Sequence, residues 1–123
     1  MKTIAVVGMG SSGQSAAKLG LSLGYTVHCI DRRESTIPNG CTFHLENEID
    51  IVSIHASQIV VSPGVPKHNM VLQQAIKENI PIVSELNFAS KQLSCPIIAV
   101  TGTNGKSSTV WYLKQMAEQN EMK

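Results

Sequence analysis

Thr3-Ile-Ala-Val-Val7 stops at Gly8 and opens into Gly8-Met-Gly-Ser-Ser-Gly13, a G-x-G-x-x-G spacing. No other feature restricts the fold of the first half of the chain so tightly. A short apolar run with no polar alternation predicts a strand buried on both faces, the kind found in parallel sheets. Ser11 to Leu23 follows with apolar residues at Ala16, Ala17, Leu19, Leu21 and Leu23, which predicts a helix. Gly24 stands where a helix C-terminal glycine belongs, and Thr26-Val-His-Cys-Ile30 reads as a second strand ending at Asp31. A βαβ unit fits this length.

The remaining chain repeats the alternation. Arg32 to Gly40 is a loop rich in turn formers, and Cys41 to Leu45 is a short strand. Ile49 to Ile54 fits either a strand or the start of a helix. Gln58-Ile-Val-Val61 is a strand stopped by Ser62-Pro63-Gly64, and Asn69 to Lys77 has helical spacing. Ile80 to Val83 is a strand, and Ser84 is placed to cap a short helix from Glu85 to Lys91. Ile97-Ile-Ala-Val100 is a further buried strand, with a helix from Lys106 to about Gln119. Strands and helices alternating over short links predict an α/β, Rossmann-like doubly wound parallel sheet with helices on both faces. Domain size divides the chain into 1–93 and 94–123, the latter the first strand-loop-helix of a second α/β domain.

Composition removes several function classes. Ten Lys and Arg against nine Asp and Glu give a net charge of +1, so no basic excess calls for nucleic acid. No apolar run approaches the ~20 residues that span a bilayer, which predicts no membrane insertion and a cytoplasmic location. Cys29, Cys41 and Cys95 are odd in number and far apart, so neither a zinc site nor a disulfide framework is expected. His28, His44, His55 and His68 lack metal-ligand spacing, and Glu46 and Glu48 read as solvated loop carboxylates. Trp111 lies on the apolar side of the last helix, and self-association through that side is an expectation.

The first glycine loop has the context of a phosphate site. Gly8 permits the turn, Gly10 lets backbone approach a phosphate, and Gly13 allows close helix-sheet packing. The helix start offers N–H groups and partial positive charge to an anion. Ser11 and Ser12 add hydroxyls there, and either is a candidate N-cap. Asp31, about twenty positions on, would bind ribose hydroxyls in a dinucleotide enzyme; alternatively the glycines serve only a tight turn and Asp31 caps a strand end.

The second loop, Thr101-Gly-Thr-Asn-Gly-Lys-Ser107, carries the functional half of a P-loop. Lys106 would reach the β- and γ-phosphates of ATP, and the Ser107 hydroxyl would ligate Mg²⁺. Backbone N–H groups of Thr103, Asn104, Gly105 and Lys106 would cradle phosphate oxygens, with Gly102 opening the loop and Ser108 following it. The strict Walker spacing needs a glycine where Val100 stands; Gly102 takes its place in a more compact loop. Two phosphate loops imply two phosphorylated ligands, which hydride transfer alone does not need.

T-G-T-N-G-K-S at 101–107 resembles the ATP loop of the Mur ligase family, which joins amino acids to UDP-N-acetylmuramic acid in peptidoglycan synthesis. Within that family, V-V-G-M-G-S-S-G at 6–13 is most similar to the branch that adds D-glutamate to UDP-N-acetylmuramoyl-L-alanine. Asp31-Arg32-Arg33, Ser62-Pro63-Gly64 and Ser84-Glu85-Leu86 follow in the order of that branch. The resemblance covers the whole chain but about the first third of the family's length. It implies a three-domain cytoplasmic enzyme that uses ATP and Mg²⁺. Carried over, Gly10, Ser11, Ser12 and Gly13 face the diphosphate. Asp31, Arg32 and Arg33 lie by uracil and ribose, with Arg32 departing from the Thr more usual there. Ser62, Pro63 and Gly64 form a loop near the nucleotide-sugar, and Lys106 has the catalytic role. The family's Glu, His and modified Lys are expected beyond Lys123, so the chain alone is expected to be inactive. Two other readings stay open at this stage: an NAD-binding Rossmann dehydrogenase or sensor resting on Gly8, Gly10, Gly13 and Asp31, and a stand-alone non-catalytic nucleotide-binding module.

Overall fold

The computed structural model describes residues 2–92. The loop at 101–107, Ser108, Trp111 and the helix expected from Lys106 lie outside the described residues. Met1–Gln92 forms one compact unit.

Five parallel strands make one sheet in the order β3-β2-β1-β4-β5. These are β1 Thr3–Val7, β2 Thr26–Asp31, β3 Thr42–Leu45, β4 Gln58–Val61 and β5 Ile82–Ser84. Among the described residues three α-helices accompany them: α1 Ser11–Ser22, α2 Met70–Lys77 and α3 Glu85–Ser90. The central strand β1 pairs Val7 with Ile30 of β2 on one side and with Val61 of β4 on the other. Its outward connections therefore run in opposite directions, and this makes the carboxyl ends of β1 and β4 a topological switch point.

The period of two along β1 sorts its side chains between two cores. Ile4 and Val6 join Ala16, Ala17 and Phe88 on the face carrying α1 and α3. Ala5 and Val7 join Ile51, Val71, Leu72 and Ala75 on the face carrying α2. All four β1 residues are essentially inaccessible, consistent with a strand covered on both faces. Phe88 is the largest fully buried side chain among the described residues, and its ring tilts against Tyr25 at 6.1 Å between centroids. Replacing such a buried ring with Ala costs about 3–5 kcal/mol.

Several local expectations are corrected. The segment Ile49 to Ile54 is neither strand nor α-helix; Ile51–Ile54 is a 3-10 turn capped by the Asp50 carboxylate, which accepts from the Val52 amide. Asn69 precedes α2 as its N-cap, accepting from the amides of Val71 and Leu72. β5 starts at Ile82 and not at Ile80, because the Ile80 amide closes α2 on the Ala75 carbonyl and Asn79 turns the chain at φ 58°. Ser84 caps α3 by accepting from the Asn87 amide.

Candidate functional site

The cavity of main interest, about 640 Å³, opens at the switch point. Parallel strand direction puts the loops after β1, β2 and β4 on one rim, so residues far apart in sequence converge there. Gly8 to Ser12 forms one wall, Asp31 and Arg32 a second, and Ser62 to Pro66 a third. Glu46, His68, Asn69 and Met70 complete it; no sequence motif pointed to these four as a group.

The three glycines of the first loop do different work. Gly8 adopts φ +96°, and its amide donates to the Ile30 carbonyl at 2.8 Å, so the chain turns sharply as it leaves β1. A Cβ on Gly13 would stand 1.8 Å from the Gly8 carbonyl oxygen, so helix and turn touch backbone to backbone. Gly13 is buried beneath the turn and does not line the cavity. Gly10 is the opposite case: a Cβ there meets nothing within 4 Å, and the residue lines the cavity.

Gly10 is also the N-cap of α1, and no side chain caps the helix start. Neither Ser11 nor Ser12 takes the cap position; they are the first two residues of the helix and both line the cavity. The first N–H groups of a helix lack intrahelical acceptors, and with the helix dipole they favour an anion in front of them.

Asp31 ends β2 with both carboxylate oxygens engaged by backbone. Oδ2 accepts from the Met9 amide at 2.8 Å and Oδ1 from the Arg32 amide at 2.6 Å. The side chain thus braces the glycine loop from the neighbouring strand while still lining the cavity. Arg32 lies on the cavity wall, whereas Arg33 does not. From β4, the Ser62 hydroxyl sits between the Gly8 carbonyl, 3.2 Å away, and the carboxylate of Glu85. Pro63 and Gly64 follow on the rim.

A second polar feature lies near the sheet edge. His28 Nδ1 and His44 Nε2 are 2.8 Å apart, and the two rings stack at 19° between planes. Burial lowers both imidazoles below their ordinary value, and in His28 the neighbouring His44 adds to the effect. No group of three or more metal-ligating side chains occurs among the described residues, and no helix among them is long and apolar enough to cross a membrane.

Strand order, switch-point cavity and glycine loop together define a Rossmann-like α/β domain, the class in which ligands sit outside the carboxyl ends of the strands. Comparison with known proteins narrows the class. The chain belongs to the Mur ligase family described as MurD-like, N-terminal domain, which matches residues 2–84. It is 31% identical over 99% of its length to the UDP-N-acetylmuramoylalanine--D-glutamate ligase of Buchnera aphidicola subsp. Schizaphis graminum. It is 34% identical over 85% of its length to the ligase of the same name from Syntrophus aciditrophicus. The chain spans 29% and 25%, respectively, of those two proteins. Among solved structures, the UDP-N-acetylmuramate-alanine ligase MurC of Thermotoga maritima shares the fold at TM-score 0.60 and 24% identity, covering 98% of this chain and 30% of that one. The NAD-dependent alternative is not favoured by these relationships.

Proposed function

We propose that this chain is the N-terminal, nucleotide-sugar-binding part of an ATP-dependent ligase that adds D-glutamate to UDP-N-acetylmuramoyl-L-alanine in peptidoglycan synthesis. Residues 1–93 take the UDP moiety, and 94–123 begin the ATP-binding domain. The observation that carries this reading is the uncapped start of α1 behind Gly10, facing an open cavity at the switch point. In this reading the diphosphate meets the amides of Ser11 and Ser12, and Gly10 leaves room for its oxygens. Arg32, Asp31 and the Ser62-Pro63-Gly64 rim are left for the ribose, base and sugar. The names and sequence identity of the relatives support the substrate assignment.

Amide formation from a carboxylate needs activation, since oxide does not leave. The ligase reaction would move the γ-phosphoryl of ATP to the carboxylate of the L-alanyl group, releasing ADP. The amine of D-glutamate would then attack the acyl phosphate, and phosphate and a proton would leave. Positioning and charge neutralisation dominate such a phosphoryl transfer. Lys106, Ser107 and Mg²⁺ are assigned that step, with Gly102, Thr103, Asn104, Gly105 and Ser108 shaping the loop. All lie outside the described residues.

A ¹⁵N NMR titration of the chain with UDP-N-acetylmuramoyl-L-alanine, UDP and NAD tests the first half of the proposal. Shifts centred on Gly10, Ser11, Ser12 and Gly64 are expected with both uridine ligands. Shifts there with NAD and none with UDP would overturn it.

A further inference from the structure

The carboxylate of Glu85 lies outside the wall of the nucleotide cavity yet reaches its glycine loop through one hydroxyl. Glu85 opens α3, half-buried, and pairs with Ser62 Oγ across 23 residues of sequence. The same Oγ is 3.2 Å from the Gly8 carbonyl oxygen and 3.2 Å from where a Gly13 side chain would begin. Ser62 is therefore wedged against both ends of the phosphate loop. Its amide is held as well, donating to the Val7 carbonyl at 3.1 Å.

A serine hydroxyl has one hydrogen and two acceptors before it here. An ionised carboxylate is the stronger acceptor, so the hydrogen goes to Glu85 and the χ1 angle of Ser62 is fixed in one well. Without that acceptor the hydroxyl is free to turn toward the cavity or the Gly8 carbonyl, and the wedge loses its single geometry. Sites loosen when the residues supporting them are not themselves held.

We propose that Glu85 is a positioning residue for diphosphate binding, acting through Ser62 to hold the Gly8–Gly13 loop in its anion-ready shape. The proposal rests on the UDP-ligand reading given above and adds to it a residue that does not touch the ligand. It also removes Ser62 as a hydrogen donor to the substrate, because its one hydrogen is already committed.

The test is isothermal titration of UDP-N-acetylmuramoyl-L-alanine into the 123-residue chain, with urea unfolding run on each variant. Glu85→Ala is expected to weaken binding about tenfold. Glu85→Gln, which keeps a carbonyl acceptor, should bind within about threefold of the parent. Ser62→Ala and the double variant should each match Glu85→Ala, because the two residues act as one unit. A purely structural role would lower the urea midpoint of Glu85→Ala and Glu85→Gln alike without this split in affinity, and that result overturns the proposal. Unchanged affinity in Glu85→Ala, or additive losses in the double variant, also overturns it. A parent chain that binds no uridine ligand removes the UDP reading itself, whatever the variants do.

Discussion

The Met9 amide donates to Asp31 Oδ2 across 2.8 Å, and this side-chain bond helps tie the glycine loop to the end of the neighbouring strand. It gives Asp31 a job before any ligand arrives. Hydrogen bonds to charged groups contribute about 1.5–3 kcal/mol each, less where solvent reaches them. Asp31→Ala should therefore lower unfolding free energy by about 1–3 kcal/mol in urea and speed hydrogen exchange at the Met9 amide. Asp31→Asn should fall between, since an amide oxygen replaces only one of the two acceptors. An alanine variant as stable and as protected as the parent would show that the brace carries no weight.

Gly10 and Gly13 should part company under mutation. Alanine at Gly10 meets open space and ordinary backbone angles, φ −70° and ψ −172°, so stability should stay within about 0.5 kcal/mol. Gly10 lines the cavity, so on the UDP reading a methyl group there should crowd the phosphate, and uridine-nucleotide affinity should drop about tenfold or more. Alanine at Gly13 collides with backbone at 1.8 Å, and overpacking there should cost about 3 kcal/mol or more. Calorimetric titration and urea unfolding on the pair would reveal whether the two glycines separate in this way.

The His28–His44 pair predicts a pH dependence with a definite sign. One ring nitrogen donates and the other accepts, an arrangement that two protonated rings cannot keep. Folding lowers both imidazoles from their ordinary value of 6.5, chiefly through burial. As pH falls below that value, the unfolded chain takes up protons before the native one does, so stability declines and levels off once the native pair is protonated. Stability at higher pH is unaffected by these groups. Urea midpoints between about pH 7.5 and about pH 5 should fall for the parent and fall less steeply for a His28→Gln, His44→Gln double variant.

Thiol reactivity should report the packing beside that pair. Burial, with the adjacent Cys41 thiol, pushes Cys29 up to about 12, and burial raises Cys41 as well. In a Cys95→Ser background at pH 8, iodoacetamide should label native Cys29 at least roughly a hundredfold more slowly than the urea-unfolded chain. Equal rates in the two states would contradict the buried placement of Cys29.

The opening βαβ unit was readable because its signals are local. An apolar run, three spaced glycines and a helical period all fall within Thr3 to Asp31, and the structure keeps each element within one residue of its expected end. The strand order, with β4 returning to the far side of β1, is not written in any local pattern; right-handed crossovers fix the face a helix covers, not the edge at which the next strand adds. Ile51–Ile54 was ambiguous because a single 3-10 turn is too short to display either period. Ser11 and Ser12 are candidates for the cap of α1 because they have the favoured chemistry; the turn left by Gly8 puts Gly10 at the boundary instead. Asp31 was visible as a residue but not as a brace, and the Ser62–Glu85 link was not visible at all. Both depend on side-chain direction across separations of 22 and 23 residues, which no local pattern encodes.

Because all five strands run the same way, the two ends of the sheet are unequal as places to attach things. The end of α2 and the turn after it, at Glu78 and Asn79, are exposed and face away from the cavity rim. A fluorophore or surface tether placed there leaves the mouth of the cavity unobstructed. An immobilised form of the chain would thus take its orientation from strand polarity alone.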